Sequence, residues 1–337
     1  MRESKRYNGA KGKTTARTGV SLATVILLAE FLLFTTLPAD LASPDWSDPD
    51  WIFTLSGSTE YAFIAVDSAG TAHVVWFEWD VGESWYNAGT PGDWPDPELL
   101  STHSDYWQED PRLALDPDDN VHVVWEGYDA DGYDWLIWYA DNAGGAWSTP
   151  ENISPDDSSP YSPNIAVDSV GAAHVVFHGH NETHGGDCSV VYATNAGGDW
   201  SYPVLLSGDH GHNGSWLPWI AVDPFDHPHV VSDGDDEDIW YTANLGSGWS
   251  EPLSLSTQST YEQGAPQIAV DINGNPHAAW HGYGSVDDYY QIWYSADISQ
   301  CIVRAAVEGG HGMVDPEMQA VPVGGTAVIA LLSLIHL

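Results

Sequence analysis

One sentence-like phrase, an apolar run ending in Asp, a short turn, then a β-branched run led by His, is written five times in this chain. It reads "IAVDSAGTAHVVW" (64–76), "LALDPDDNVHVVW" (113–125), "IAVDSVGAAHVVF" (165–177), "IAVDPFDHPHVVS" (220–232) and "IAVDINGNPHAAW" (268–280). Asp67, Asp116, Asp168, Asp223 and Asp271 each stand six residues before His73, His122, His174, His229 and His277, and the Asp-to-Asp intervals are 49, 52, 55 and 48 residues. Self-similarity at that period means a solenoid or a propeller.

A second phrase follows inside the unit: "YADNAGGAWSTP" (139–150), "YATNAGGDWSYP" (192–203) and "YTANLGSGWSEP" (241–252). Each unit therefore parses as four short strands joined by turns, with no helical periodicity. Four-stranded sheets repeated around an axis are propeller blades, so the expected fold is all-β, a five-bladed β-propeller. The fifth unit stops at "YSADIS" (294–299), while "WSDPDWIFTLS" (46–56) matches "WSTPENIS" (147–154). The reading is that strand 46–56 completes the last blade and closes the ring; the rival, "CIVRAAV" (301–307), lacks the Trp.

On the residues Ala140, Asn142, Gly144 and Trp147, with their counterparts Ala193, Asn195, Gly197, Trp200 and Thr242, Asn244, Gly246, Trp249, the second phrase resembles the Asp-box of sialidase-like propellers, the bacterial-neuraminidase repeat. Asn replaces Asp, and Ser is mostly lost. The resemblance implies that these turns lie between third and fourth strands, opposite the active face. The chemistry agrees with scaffolding: Asn bonds nearby backbone, Gly supplies positive φ, and Trp covers the turn. The Asp-x5-His pairs read the same way, as a turn-to-strand hydrogen bond in each unit.

Charge narrows the partners. The chain holds 8 Lys+Arg against 49 Asp+Glu, and six of the eight lie in the first 17 residues, leaving Arg112 and Arg304. Such a surface repels nucleic acid and anionic membranes and suits a saline habitat, where salt screens self-repulsion. Residues 1–43 read as a signal peptide, basic then apolar then small. The propeller takes 44–300, a linker 301–320, and an apolar tail 321–337 that serves as anchor or sorting signal. That tail loosely resembles archaeosortase and exosortase sorting tails, without their closing basic cluster. The expected product is secreted, tethered to the cell surface and monomeric. Cys188 and Cys301 allow one disulfide without establishing it. The sequons "NIS" (152–154), "NET" (181–183) and "NGS" (213–215) are consistent with surface display.

Function belongs to the loops that differ between units. Tyr61, Tyr106, Trp107, Tyr161, Trp216, Trp219 and Tyr261 lead into the inner strands, where aromatics suit stacking on sugar rings; packing between blades is the alternative. The second strands end in Glu126, His178, Asp233 and His281, with Phe77 in the first unit. His178, His180, His184 and Asp187, then Asp209, His210 and His212, have spacings that suit Zn²⁺. "DADGYD" (129–134) and "DGDDED" (233–238) have Ca²⁺-like composition without the full loop pattern. No cofactor is assigned with certainty; Ca²⁺ and Zn²⁺ are the candidates. A sialidase clamps its substrate carboxylate with several arginines, and this propeller has Arg112 alone, so that activity is argued against. The reading is a binding module for glycans or another cell-surface polymer. A structural or adhesive envelope protein is the alternative, as is a non-sialidase glycoside hydrolase using carboxylates such as Glu126 and Asp233.

Overall fold

The computed structural model describes residues 47–52, 57–155, 159–181, 187–206, 215–234, 237–257, 262–283 and 290–297. The chain divides into two units, Met1–Pro49 and Asp50–Leu337. Of the first, only 47–49 are described, exposed and without regular structure. The expected signal segment, linker, tail and Cys301 lie outside the described residues. No helix among the described residues is long and apolar enough to cross a membrane.

The second unit is all-β. The repeat folds into five antiparallel meanders. The first holds β1 (Thr59–Val66), β2 (Ala72–Glu78), β3 (Glu83–Gly89) and β4 (Glu98–Leu99). The second holds β5 (Gln108–Leu115), β6 (Val121–Tyr128), β7 (Trp135–Asp141) and β8 (Glu151–Asn152). The third is built from β9 (Tyr161–Val167), β10 (Ala173–Asn181), β11 (Asp187–Thr194) and β12 (Val204–Leu205). The fourth has β13 (Ser215–Val222), β14 (Pro228–Gly234), β15 (Ile239–Ala243) and β16 (Leu253–Ser254). In the fifth, β17 (Gln263–Val270), β18 (Pro276–Tyr283) and β19 (Tyr290–Ala296) are described.

Second strands such as β6 are buried along almost their whole length, because each lies mid-sheet and, in the second to fourth meanders, a neighbouring sheet packs on both faces; the β-branched run suits that place. The core is accordingly divided into seams, one between each successive pair of sheets. Val124, Ile137 and Tyr139 of the second sheet pack with Ile165, Val175 and Phe177 of the third. Val75 and Tyr86 of the first meet Val123, Trp125 and Ala140 of the second. Full burial of one such side chain contributes ~2 kcal/mol. First strands touch in succession, β1 with β5, β5 with β9, β9 with β13 and β13 with β17. Side chains from three of them converge: the Arg112 guanidinium sits 3.7 Å from the Phe63 ring centroid, and Phe63 lies 6.2 Å from Trp219. Sheets packed face to face with their first strands innermost form a β-propeller.

Each repeated phrase has a place in this frame. In every sheet the His ring is held by the Tyr that opens the second phrase, His73–Tyr86, His122–Tyr139, His174–Tyr192, His229–Tyr241 and His277–Tyr294, with Nδ1 to Oη at 2.6–2.7 Å. The Asp of the same turn faces Nε2 at 3.3–3.9 Å. Its other oxygen caps the turn, as Asp67 does for the Ala69 and Thr71 amides. The histidines are thus clamps between strands two and three.

The second phrase is also scaffolding, with two differences in detail. Asn142 and Asn195 accept the amides of Val121 and Ala173, at the start of the second strand, and not backbone within their own turn; Asn244 does bond its own turn, at Gly246 and Gly248. The Trp does not cover its turn. Trp147, Trp200 and Trp249 stand edge-on against Tyr86, Tyr139 and Tyr192 of the preceding sheet, at 4.8–4.9 Å. They fill the seam because that is where a large apolar ring loses most water.

A further repeat was not read from the sequence. Every first strand carries a bulge at a residue in the left-handed region: Tyr61, Asp110, Ser162, Leu217 and Ala265, with φ between 46° and 55°. In four of the five the next residue is Pro (Pro111, Pro163, Pro218, Pro266), which has no amide to offer the ladder.

The fifth sheet has three described strands where four were expected. Within 46–56, residues 53–56 lie outside the described residues, and 50–52 form no strand. They lie against the first sheet: the Asp50 carboxylate accepts the Gly92 amide at 2.6 Å, and the Ile52 carbonyl accepts Asn87 Nδ2 at 3.1 Å.

Candidate functional site

Strand register brings the ends of the second strands into one equivalent position. Phe77 pairs with Glu60, Glu126 with Glu109, His178 with Tyr161, Asp233 with Trp216, and His281 with Gly264. Glu126 and Asp233 each reach to the next sheet, where they accept the amide of the left-handed residue: Ser162 for Glu126, and Ala265, at 3.3 Å, for Asp233. The bulge turns that amide out of its own ladder, and the carboxylate satisfies it. Both residues therefore hold a seam as well as facing the strand ends.

Around Glu126 the structure gathers an acidic group. Glu126 is buried, and burial with Asp110 beside it pushes its carboxyl well above the ordinary range. Burial raises Glu109 and Asp110 too, although Arg112 pairs with Asp110 and pulls it back. Three carboxyls against one guanidinium retain protons more readily than exposed acids do.

Two aromatic rows adjoin this group. In one, Phe77 sits 6.5 Å from Tyr61, 5.5 Å from Trp79 and 5.3 Å from Trp107, and the two indoles are 4.8 Å apart, edge-on. Tyr61 and Trp79 are exposed. The second row runs Tyr106, Tyr128, Trp135, Tyr161, His178, with successive centroids 6.3, 4.7, 6.0 and 6.2 Å apart. Gly132 makes room for it: a Cβ there would lie 2.5 Å from the Tyr106 ring. Burial raises the phenols of both Tyr61 and Tyr161, helped next by Asp110 and Glu109 at Tyr61 and by Glu126 at Tyr161, which puts the acidic group within reach of both rows.

The sequence-derived aromatics thus divide. Tyr61, Tyr106, Trp107 and Tyr161 stand in the rows; Trp219 packs on Phe63 among the first strands. Trp216 lies on β13, its side chain undescribed, and Tyr261 lies outside the described residues. His281 stands beside Asp233, both near the position a Cβ on Gly264 would occupy. His184, Asp209, His210 and His212 lie outside the described residues, while His180 and Asp187 are known by backbone pairing alone. Among the described residues no three His, Cys, Asp or Glu come together to hold a metal. Asp129 of "DADGYD" accepts the Tyr133 and Asp134 amides, and Asp238 of "DGDDED" accepts the Ser254 and Ser256 hydroxyls. Glu109, Asp110, Trp79, Tyr128 and Trp135 were missed. For Asp110 the signal was its place before Pro111, with Glu109 next to it; the others lie in strand-end runs that looked like ordinary core.

Neither a protein-family model nor a curated protein sequence matches the chain. Among solved structures it is similar to a protein of unknown function from Dyadobacter fermentans, at 11% identity over 67% of this chain and 75% of that one, with a TM-score of 0.52. A family PL25 ulvan lyase aligns at 12% identity over 74% and 69%, TM-score 0.49. The GH93 α-L-arabinofuranosidase of Fusarium graminearum aligns at 13% over 70% and 80%, TM-score 0.49. At these identities the likeness is one of fold.

Proposed function

We propose that this chain is an exported, surface-associated five-bladed propeller that binds a neutral glycan where the second strands end. The observation that carries the reading is the exposed pair Tyr61 and Trp79, continued by Trp107, beside the Glu109–Asp110–Glu126 group. Aromatic faces stack on the C–H faces of sugars, and carboxyls accept from sugar hydroxyls. The acidic surplus disfavours a ligand carrying carboxylate or sulfate.

Ring closure is part of the proposal. Ile292 and Tyr294 on the fifth sheet are 81% and 65% exposed, where their counterparts Ile137 and Tyr139 are 0% and 4%. On the first sheet Ile64 is 66% exposed against 7% for Ile165. Two apolar faces left at the two ends of the array are the halves of one seam, and its outer strand is assigned to 46–56 on the match to 147–154 in sequence, although 50–52 form no strand.

A second reading, glycoside hydrolysis, is favoured by one feature: a buried carboxyl with a raised pKa beside other carboxyls is the equipment of a general acid. The test is to incubate the protein in high salt with a broad glycan panel, following retention and product masses together. Retention without new masses supports binding; new masses support the hydrolase; neither result favours an envelope or adhesive role.

A further inference from the structure

The segment that carries Tyr106 and Trp107 into the aromatic rows is pinned at both ends and plugged in the middle. It runs from buried Ser101 to buried Gln108. At one end the Ser101 hydroxyl accepts the Ser84 amide at 3.3 Å. At the other, Gln108 Nε2 donates to the Tyr128 carbonyl at 2.7 Å, Gln108 Oε1 accepts Trp125 Nε1 at 3.0 Å, and the Gln108 carbonyl accepts the Ser84 hydroxyl at 2.8 Å. Between these ends Thr102, Asp105 and Tyr106 are exposed, while the nitrogens of His103 are buried. The Ser104 hydroxyl donates to the Asp129 carbonyl at 3.0 Å.

The His103 ring lies 3.9 Å from Trp138 and 6.0 Å from Trp125, and neither of its nitrogens has a hydrogen-bond partner. The two indole N–H groups are committed elsewhere, Trp125 to Gln108 and Trp138 to the Gly127 carbonyl at 3.1 Å. The place therefore receives a flat neutral ring and offers an imidazolium nothing in return for its hydration. Among the described residues, Asp129 in the turn after β6 is the carboxylate whose charge acts on the ring. Asp105 on its own segment, Glu83 at the start of β3, Glu126 on β6 and Asp134 before β7 make no hydrogen bond to it. Burial outweighs the pull of the Tyr128 carbonyl and of Asp129, and lowers the imidazolium to about 4.

We propose that His103 is a proton-operated catch: protonation withdraws its ring from the two indoles and frees residues 102–107, taking Tyr106 and Trp107 out of the aromatic rows. In the open segment the ring meets water and titrates near ~6.5. The open and closed states thus differ in proton affinity, and acid favours the open one by linkage. Between pH 7 and pH 5 that difference raises the opening constant about twentyfold. Tyr106 rests on Gly132 and Trp107 on Gly82; both contacts are made by side chains of the segment and part when it lifts. The effect on a ligand rests on the glycan reading above, whereas the opening itself does not.

The test is amide hydrogen exchange on the full chain in high salt, corrected for the intrinsic pH dependence of exchange. Two amides report on the segment: Tyr106, held by Ser104 Oγ at 3.1 Å, and Tyr128, held by the Trp107 carbonyl at 3.0 Å. His103→Phe keeps a flat ring on the indoles without a titrating group, and His103→Gln is the second variant should the phenyl ring not fit. The expected result is exchange about twentyfold faster at both amides at pH 5 than at pH 7, with the β2 amides still protected and no such change in either folded variant. Three results overturn the proposal: no acceleration in the wild type, the same acceleration in both folded variants, or loss of protection in β2 in step with the segment. Glycan retained from the panel is expected to slow the exchange at pH 5. Should the segment open in acid and the glycan leave it unchanged, the glycan reading fails and the catch stands.

Discussion

Tyr139 Oη and His122 Nδ1 lie 2.6 Å apart in the buried interior of the second sheet, and each belongs to a different repeated phrase. The contact explains why both phrases recur together. With Nε2 facing the turn carboxylate, the fitting tautomer has Nδ1 accepting from the phenol. Burial raises the Tyr139 phenol, so it stays protonated as that donor.

Tyr139→Phe removes the donor and leaves the buried imidazole unsatisfied on that side. The expected loss is ~1–2 kcal/mol, read as a lower midpoint in urea unfolding at unchanged slope.

Trp200→Ala empties the seam over Tyr139. The expected cost is ~3 kcal/mol, typical of losing a large ring from a core. Thermal unfolding measures it; a change below 1 kcal/mol, on the scale of an ordinary surface substitution, would mean the ring contributes little to joining the sheets.

Ala265→Gly runs against the usual rule that Gly weakens a strand. Ala265 sits at φ 47°, where an L-residue costs ~1–2 kcal/mol that Gly avoids, partly offset by Gly's greater entropy loss. The variant is expected to melt at the same temperature as the parent or slightly higher. A clear drop in melting temperature would contradict the strain argument.

Acid destabilises through the buried histidines. Burial lowers His103, His174 and His229 in the folded state, while the unfolded chain titrates near ~6.5. Below that value the unfolded state binds more protons, so stability is full above it and falls with pH, for His103 down to about 4. Glu109, Asp110 and Glu126 act oppositely: their raised folded values make them favour folding at low pH, an advantage lost as pH rises through those values. His103→Gln isolates the first effect and should flatten the fall in melting temperature between pH 7 and pH 5.

The fold was legible because its signals are local and repeated. Asp-x5-His fixes a turn and the strand after it, and Tyr-to-Trp fixes the next turn, so five units follow from spacing alone. The direction of Trp147, Trp200 and Trp249 was not legible, since reaching the preceding sheet is a property of packing and not of the turn. The left-handed bulges hid for another reason: Tyr61, Asp110, Ser162, Leu217 and Ala265 share no residue type. At the site, Tyr61, Trp107, Tyr161 and Glu126 were found because they flank obvious strands. Trp79 and Trp135 were not, because a Trp at a strand end looks the same whether it packs or faces solvent.

The central claim rests on Tyr61, Trp79 and Trp107, and the most direct measurement is titration calorimetry of the glycan retained from the panel. Wild type is compared with Trp79→Ala and Tyr61→Ala, chosen because both rings are exposed and the fold should survive their loss. The account predicts affinity weakened about tenfold or more in each, since stacking on an exposed ring is worth ~1–2 kcal/mol, with melting temperature unchanged. Full affinity in both folded variants would place the glycan elsewhere and contradict it.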